Sequence, residues 1–277
     1  MKRKKITRIL SLILVLSLLF CACGKKKEEA KEKISEEAAI TRDENHKDTE
    51  KDPPVEDVDT IVLTPFDQIP AGTALTKEEV RLFGEDKCFC VYEISDELFS
   101  RIYGLSFKEN CTVPREDLRY VKVLHKDAEG TILVGELMVH KDVAEAIRDI
   151  FHELYLADYP IHKMHLVDDY GADDNASMEA DNTSAFNYRL IAGTSELSNH
   201  AFGKAIDINP YYNPYCIPGQ DYVSPASAYE YGDRSRSFDY KIEKGDLCYN
   251  LFIEHGFTWG GDWTGGIYDY QHFEYLK

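Results

Sequence analysis

The stretch Ser198-Asn199-His200-Ala201-Phe202-Gly203-Lys204-Ala205-Ile206-Asp207-Ile208-Asn209-Pro210 decides how this chain is read. Ala205, Asp207 and Asn209 alternate with Ile206 and Ile208. The two-residue period of a strand sends the isoleucines into a core and displays Asp207 on the other face. His200 lies seven residues before Asp207, on the opposite face of a straight strand, and Gly203 supplies a bend that brings both side chains to one point. Downstream, Gly256-Phe257-Thr258-Trp259-Gly260-Gly261-Asp262-Trp263 precedes Asp269-Tyr270-Gln271-His272-Phe273-Glu274, which adds a second imidazole. Two imidazoles and a carboxylate make the three-ligand set of a catalytic zinc site, with a tetrahedral position left open for water. Asp269, three residues before His272, is placed to take a proton from that water.

Around these strings the chain has the pattern of a mixed α+β domain. Residues 60–63, 88–92, 120–124 and 132–139 read as strands, and Asp127-Ala128-Glu129-Gly130 turns the last two into a hairpin. Between Lys141 and Ala157, Val143, Ile147, Ile150, Phe151 and Leu154 recur at helical spacing and predict a helix on the sheet. A second helix is expected from Lys244 to His255, ended by Gly256, with His255 at its C-terminus. Residues 168–194 and 211–240 read as long polar or irregular loops, the first of a kind that is often functional. No internal repeat and no second folded domain is evident.

The N-terminus is organised differently. Lys2, Arg3, Lys4, Lys5 and Arg8 precede an apolar run from Ile9 to Phe20 that is short for a membrane span, which is the pattern of a signal peptide. Residues 25–58 carry eight positive and twelve negative charges, end near Pro53-Pro54 and lack the apolar residues needed to offset the entropy of ordering, so they read as a tether. The organisation expected is therefore a leader over 1–23, a charged linker over 24–58, and a domain over 59–277 with its core at about 115–277. With a net charge of −18 for the chain, residues 59–277 hold −19. That charge opposes binding to nucleic acid or to anionic lipid, so membrane attachment has to come from a lipid. Cys88, Cys90, Cys111, Cys216 and Cys248 are odd in number, so not all can pair within the chain, and they read as small buried hydrophobes.

Two resemblances follow from these residues. Phe20-Cys21-Ala22-Cys23-Gly24 resembles a bacterial lipobox, with Cys23 the residue to be acylated because Ala22 supplies the small residue before it. Ser198, His200, Gly203, Ala205 and Asp207, followed by Asp269 and His272, resemble the signature of the zinc D-alanyl-D-alanine carboxypeptidases and dipeptidases of the VanY and VanX type and the related L-alanyl-D-glutamate endopeptidases. That resemblance covers roughly residues 115–277. It implies a small antiparallel sheet bearing a zinc site with packed helices, His200, Asp207 and His272 as Zn2+ ligands, Asp269 as general base, and Ser198 at the substrate. It also implies that Arg189 steadies the oxyanion, a role that suits a fixed guanidinium fork.

The expected protein is a monomeric peptidase acting on peptidoglycan peptides outside the cytoplasm and anchored to the cell membrane by lipid. An aspartate as base and the Trp-Gly-Gly-Asp-Trp string favour L-Ala-D-Glu endopeptidase activity over removal of terminal D-Ala. A non-catalytic zinc-binding or wall-binding lipoprotein is the rival of another class, and Asp269 together with Arg189 argues against it. A solute-binding lipoprotein would show repeated strand-helix alternation, which is lacking. His162 and His165 read as surface or strand-entry residues, Trp259 and Trp263 as core or groove, and Glu274 as a side chain that orients His272.

Overall fold

A hairpin of two nine-residue strands is the spine of the protein, whose computed structural model describes residues 64–277. The expected leader, Cys23, the linker and the strand at 60–63 lie outside those residues. In chain order the elements are β1 Ala74–Leu75, α1 Lys77–Phe83, β2 Cys90–Tyr92, α2 Asp96–Ile102, β3 Leu118–Lys126, β4 Ile132–His140, α3 Lys141–Leu156, β5 Lys163–Met164, α4 Asp174–Glu179 and β6 Asn182–Thr183. These are followed by β7 Ala205–Asp207, β8 Tyr215–Ile217, β9 Tyr222–Ser224, α5 Leu247–Glu254, β10 Thr258–Trp259, β11 Tyr268–Asp269 and β12 His272–Glu274. The fold is α+β with small, mainly antiparallel sheets, as the resemblance implies.

The main sheet runs β1-β4-β3-β2, every neighbour antiparallel. The turn between β3 and β4 closes because Asp127 Oδ1 accepts hydrogen bonds from the backbone N–H groups of Glu129 and Thr131, at 3.1 and 2.7 Å. On one face of the sheet Val121, Val123, Leu137 and Val139 pack against the apolar stripe of α3, where Val143, Ile147, Ile150, Phe151 and Leu154 are all buried. Each such side chain contributes about 1.5–3 kcal/mol by leaving water. On the other face Leu118, Tyr120 and Met138 pack with Ile102, Leu166, Phe186 and Tyr188. Cover on both faces explains why burial along β3 and β4 is almost unbroken, not alternating.

Several expectations need correction. The segment from Asp168 to Thr194 is not an irregular polar loop: it contains α4 and β6, and residues 181–188 are buried. Its backbone pairs with β5, Asp207, Met138, His200 and Ser106, and its polar side chains add to that pairing. Asn182 donates to His165 O and Ser177 Oγ at 3.0 and 3.1 Å, and accepts from His165 N at 2.8 Å. Residues 211–240 likewise contain the β8–β9 hairpin. Helix α5 begins at Leu247, not Lys244, because Asp246 caps it by accepting from Tyr249 N at 2.7 Å; His255 is its C-cap, and Gly256 follows in the left-handed region at φ 87°. Cys88, Cys216 and Cys248 are buried and Cys90 and Cys111 partly so, and no disulfide forms among the described residues. Burial pushes the Cys88 thiol up to about 12, leaving it a small apolar filler.

Candidate metal centre

His272 lies on the central strand of a second antiparallel sheet, β10-β12-β7, directly opposite Asp207. Directly opposite residues share a sheet face, so the pairing alone brings the two side chains together. His272 Nδ1 lies 2.9 Å from Asp207 Oδ1, while the adjacent Ile206 and Phe273 turn to the core and are fully buried. Asp207 is itself only 6% exposed, displayed toward the site and not toward bulk water.

His200 arrives by a different route from the one expected. It is not on a bent strand but in a 3-10 turn, Asn199–Phe202, where Ser198 is the N-cap and its hydroxyl accepts from His200 N at 3.3 Å. Gly203 ends the turn in the left-handed region at φ 65°. It also sits so close to β4 that a Cβ would come 2.7 Å from His140 N, while Gly203 O accepts from that N–H at 2.8 Å. Only glycine satisfies both conditions. His200 Nδ1 faces Ala185 O at 2.7 Å, which assigns the proton to Nδ1 and leaves the Nε2 lone pair toward the site.

His200 Nε2 is 3.1 Å from Asp207 Oδ2 and 3.2 Å from His272 Nδ1. The three residues offer ligand atoms that all lie within 4.8 Å of one another. Donors about 2 Å from a tetrahedral ion stand about 3.3 Å apart, so the spacing and the nitrogen and oxygen donor set both fit Zn2+. Burial alone would lower the His272 pKa, but hydrogen bonds with Asp207 and Glu274 and the charges of Asp207 and Asp269 push it up to about 10. Burial would raise Asp207, yet the charge and hydrogen bond of His200, with those of His272, hold it well below the usual carboxylate range. The site is thus built to hold positive charge. Glu274 approaches His272 Nε2 at 3.4 Å and also accepts from Asn199 Nδ2, tying the histidine strand to the His200 turn.

Asp269 sits on β11, which pairs with β8 in a third sheet, β11-β8-β9. Its Oδ1 is buried with no hydrogen-bond partner. Burial pushes its carboxyl up to about 7; the charge of His272 works against this, Asp207 and Asp174 reinforce it, and Arg189 opposes it. Arg189 donates from Nη2 to Asp174 Oδ2 at 2.8 Å, and its buried Nε has no partner. Asp174 and Asn199 gain these contacts only through folding, which leaves no periodic trace in the sequence. The Trp263 ring packs edge-on to His272 with centroids 5.7 Å apart, whereas Trp259 is core.

The other histidines stay apart from this centre. His162 Nδ1 pairs with Asp181 at 2.9 Å. His165 does meet potential partners that its sequence neighbourhood did not reveal, Glu136 and Asp169. Arg101 already bridges those carboxylates, at 2.5 and 2.7 Å, in the place a cation would take.

Residues 192–275 match the family model described as D-alanyl-D-alanine carboxypeptidase. No curated protein and no solved structure matches the chain. The matched segment contains Ser198, His200, Asp207, Asp269 and His272, and it supports the VanY-like resemblance over that span. It supports a hydrolase of the metallopeptidase class with peptidoglycan as substrate. Arg189 lies just before the match.

Proposed function

We propose that this chain is a zinc-dependent peptidase that cuts within peptidoglycan stem peptides, at L-Ala-D-Glu. The observation that carries the reading is the convergence of His200, Asp207 and His272, with the charges of His272 and Asp207 reaching the buried Asp269 carboxyl and its unpartnered Oδ1. A zinc ion held by His200 Nε2, the Asp207 carboxylate and His272 Nδ1 would supply a Lewis acid for the scissile carbonyl and lower the pKa of the attacking water. Asp269 Oδ1 accepts the proton of that water and delivers it to the leaving amine, with no covalent intermediate. Arg189, oriented by Asp174, turns its remaining N–H groups to the developing oxyanion. Ser198 gives its lone pair to His200 N–H and keeps its own proton for the substrate.

The choice of bond rests on the aspartate base and on Arg189. Removal of a terminal residue calls for a cation offered to a free carboxylate, and Arg189, a cation whose charge reaches Asp269, is assigned in this reading to the oxyanion. The description of the matched family favours a second reading, release of terminal D-Ala. Digestion of a pentapeptide muropeptide by zinc-loaded protein separates them, with products identified by mass spectrometry. Free D-Ala with an intact L-Ala-D-Glu bond would overturn the first reading in favour of the second. No cleavage by fully zinc-loaded protein would favour the non-catalytic rival. In this reading the leader and acylation at Cys23 hold the monomeric enzyme on the outer side of the membrane. Incorporation of labelled fatty acid, lost in Cys23→Ala, tests the anchor.

A further inference from the structure

Strand β8 lies between β11 and β9. Asp269 is directly opposite Tyr215, and Ile217 is directly opposite Tyr222. Opposite residues share a sheet face, and so do residues two apart on one strand. Asp269, Tyr215 and Tyr222 therefore stand on one face, the proposed base on one edge strand and Tyr222 on the other. The two tyrosine rings meet edge to face with centroids 6.2 Å apart. Tyr222 is 50% exposed, so its ring is offered to solvent and not spent on the core. Tyr215 is close enough to feel the base: burial pushes its phenol up and the Asp269 charge adds to this, which keeps the hydroxyl protonated as a donor.

We propose that Tyr215 and Tyr222 form a subsite for the sugar that carries the stem peptide, an N-acetylated hexopyranose joined to L-Ala through its lactyl ether. The proposal rests on the endopeptidase reading above. For the L-Ala-D-Glu bond, only the alanine and the lactyl unit separate the scissile carbonyl from the sugar, a reach of about 7 Å at about 3.5 Å per unit. Tyr215 stands one strand spacing of about 4.8 Å from Asp269, and Tyr222 a second spacing across and two residues of about 3.4 Å along, roughly 12 Å in all, so a sugar that begins about 7 Å out falls over the Tyr215–Tyr222 ledge. For a bond at the far end of the stem the sugar would be several residues further away and past the ledge. The chemistry also matches. A pyranose presents an apolar C–H face that packs on an aromatic ring, and the tyrosine hydroxyls serve the acetamido and hydroxyl groups at its rim.

The test compares the same stem tetrapeptide with and without N-acetylmuramic acid at its N-terminus. Zinc-loaded protein is expected to show a kcat/KM about tenfold higher for the sugar-bearing form, expressed in KM, which is the scale of one aromatic contact. In Tyr222→Ala that preference is expected to fall toward unity, whereas Tyr222→Phe, which keeps the ring, retains most of it. Equal losses on both substrates in Tyr222→Ala, or an undiminished preference, would overturn the proposal. Binding of N-acetylmuramyl-L-Ala-D-Glu and of L-Ala-D-Glu to zinc-loaded Asp269→Asn protein, measured by calorimetry, makes the result independent of which bond is cut. Tighter binding of the sugar-bearing ligand that Tyr222→Ala removes supports the subsite, and equal binding of the two ligands overturns it. Release of D-Ala alone by the native protein would count separately, against the endopeptidase reading.

Discussion

Gly260 is the position where a single methyl group reports on the placement of the proposed base, Asp269. Gly260 packs against the β11 strand, and a Cβ there would lie 2.5 Å from Asp269 O and 2.8 Å from Asp269 Cβ. Neither atom is the free end of a flexible side chain. Ordinary contact begins near 3.4 Å, so Gly260→Ala forces strand and turn apart by about 0.9 Å. Overpacking of this kind costs about 1–3 kcal/mol, and in a domain of this size that lowers the melting temperature by roughly 3–10 °C. The larger effect falls on turnover, since a displacement of about 1 Å in a reacting group costs on the order of 100-fold in rate. The assay is kcat/KM on muropeptide with zinc content and melting temperature measured on the same preparations. Gly219→Ala is the control, because a Cβ there meets nothing within 4 Å. Wild-type turnover in Gly260→Ala would refute the close packing of the turn on Asp269. Loss of zinc in proportion to activity would refute the assignment of the defect to the base.

Three further outcomes follow from the same geometry. His200→Ala and His272→Ala are expected to lose bound zinc, while Asp269→Ala keeps it and loses turnover; metal analysis of the purified variants decides, and equal zinc loss in Asp269→Ala would make that residue a ligand. Glu274→Gln, which weakens the contacts to His272 Nε2 and Asn199, is expected to lower zinc affinity about 10- to 100-fold in competition with a chelator. His125 is buried on β3 against Ile161 O, and burial pulls its pKa down to about 4 despite that hydrogen bond. Its folded-state pKa is depressed, so the stability of the neutral form is complete above about 6.5. It is lost as pH falls toward 4 and the unfolded chain takes up the proton. Urea unfolding at pH 7 and pH 4 is expected to show the wild type losing up to about 3 kcal/mol more than His125→Gln; parallel losses would remove His125 from the acid response.

Local pattern made the main elements legible. The α3 stripe, the β3–β4 hairpin and the alternation around Ile206 and Ile208 each follow from a period in the chain, and burial preserved each period. The proposed ligand trio is legible because its residue types and spacing are chemically specific, although the means of delivering His200, a capped 3-10 turn, is not. At residues 181–188 polarity signals hydrogen bonds satisfied inside the fold, not contact with water, so the sequence there looks like a loop. Asn182, Asn187 and Ser184 look like loop residues until their partners are known. Asp174 and Tyr215 gain meaning only from a salt bridge and a cross-strand register, neither of which has a local sequence signal.

The segment before the matched family span has a structural part in the site that its sequence does not disclose. Residues 64–114 supply both outer strands of the main sheet, β1 beside Ile132 and Leu133 of β4 and β2 beside Tyr120, Val121 and Lys122 of β3, so part of each edge of the central hairpin is paired. The same segment reaches toward the proposed catalytic arginine. Ser106 is fully buried; its N–H and hydroxyl donate to Asp168 at 3.0 and 2.9 Å, and its carbonyl accepts from Tyr188 N at 3.0 Å. Tyr188 precedes Arg189, and Ser198 N donates to Arg189 O at 3.1 Å. A continuous set of buried hydrogen bonds therefore runs from the α2 end of this segment, past Arg189, to the cap of the His200 turn. Loss of a buried partner in such a set leaves polar groups unsatisfied at about 1–3 kcal/mol each. The first proposed ligand and the proposed oxyanion residue are thus held in register by a part of the chain that carries neither.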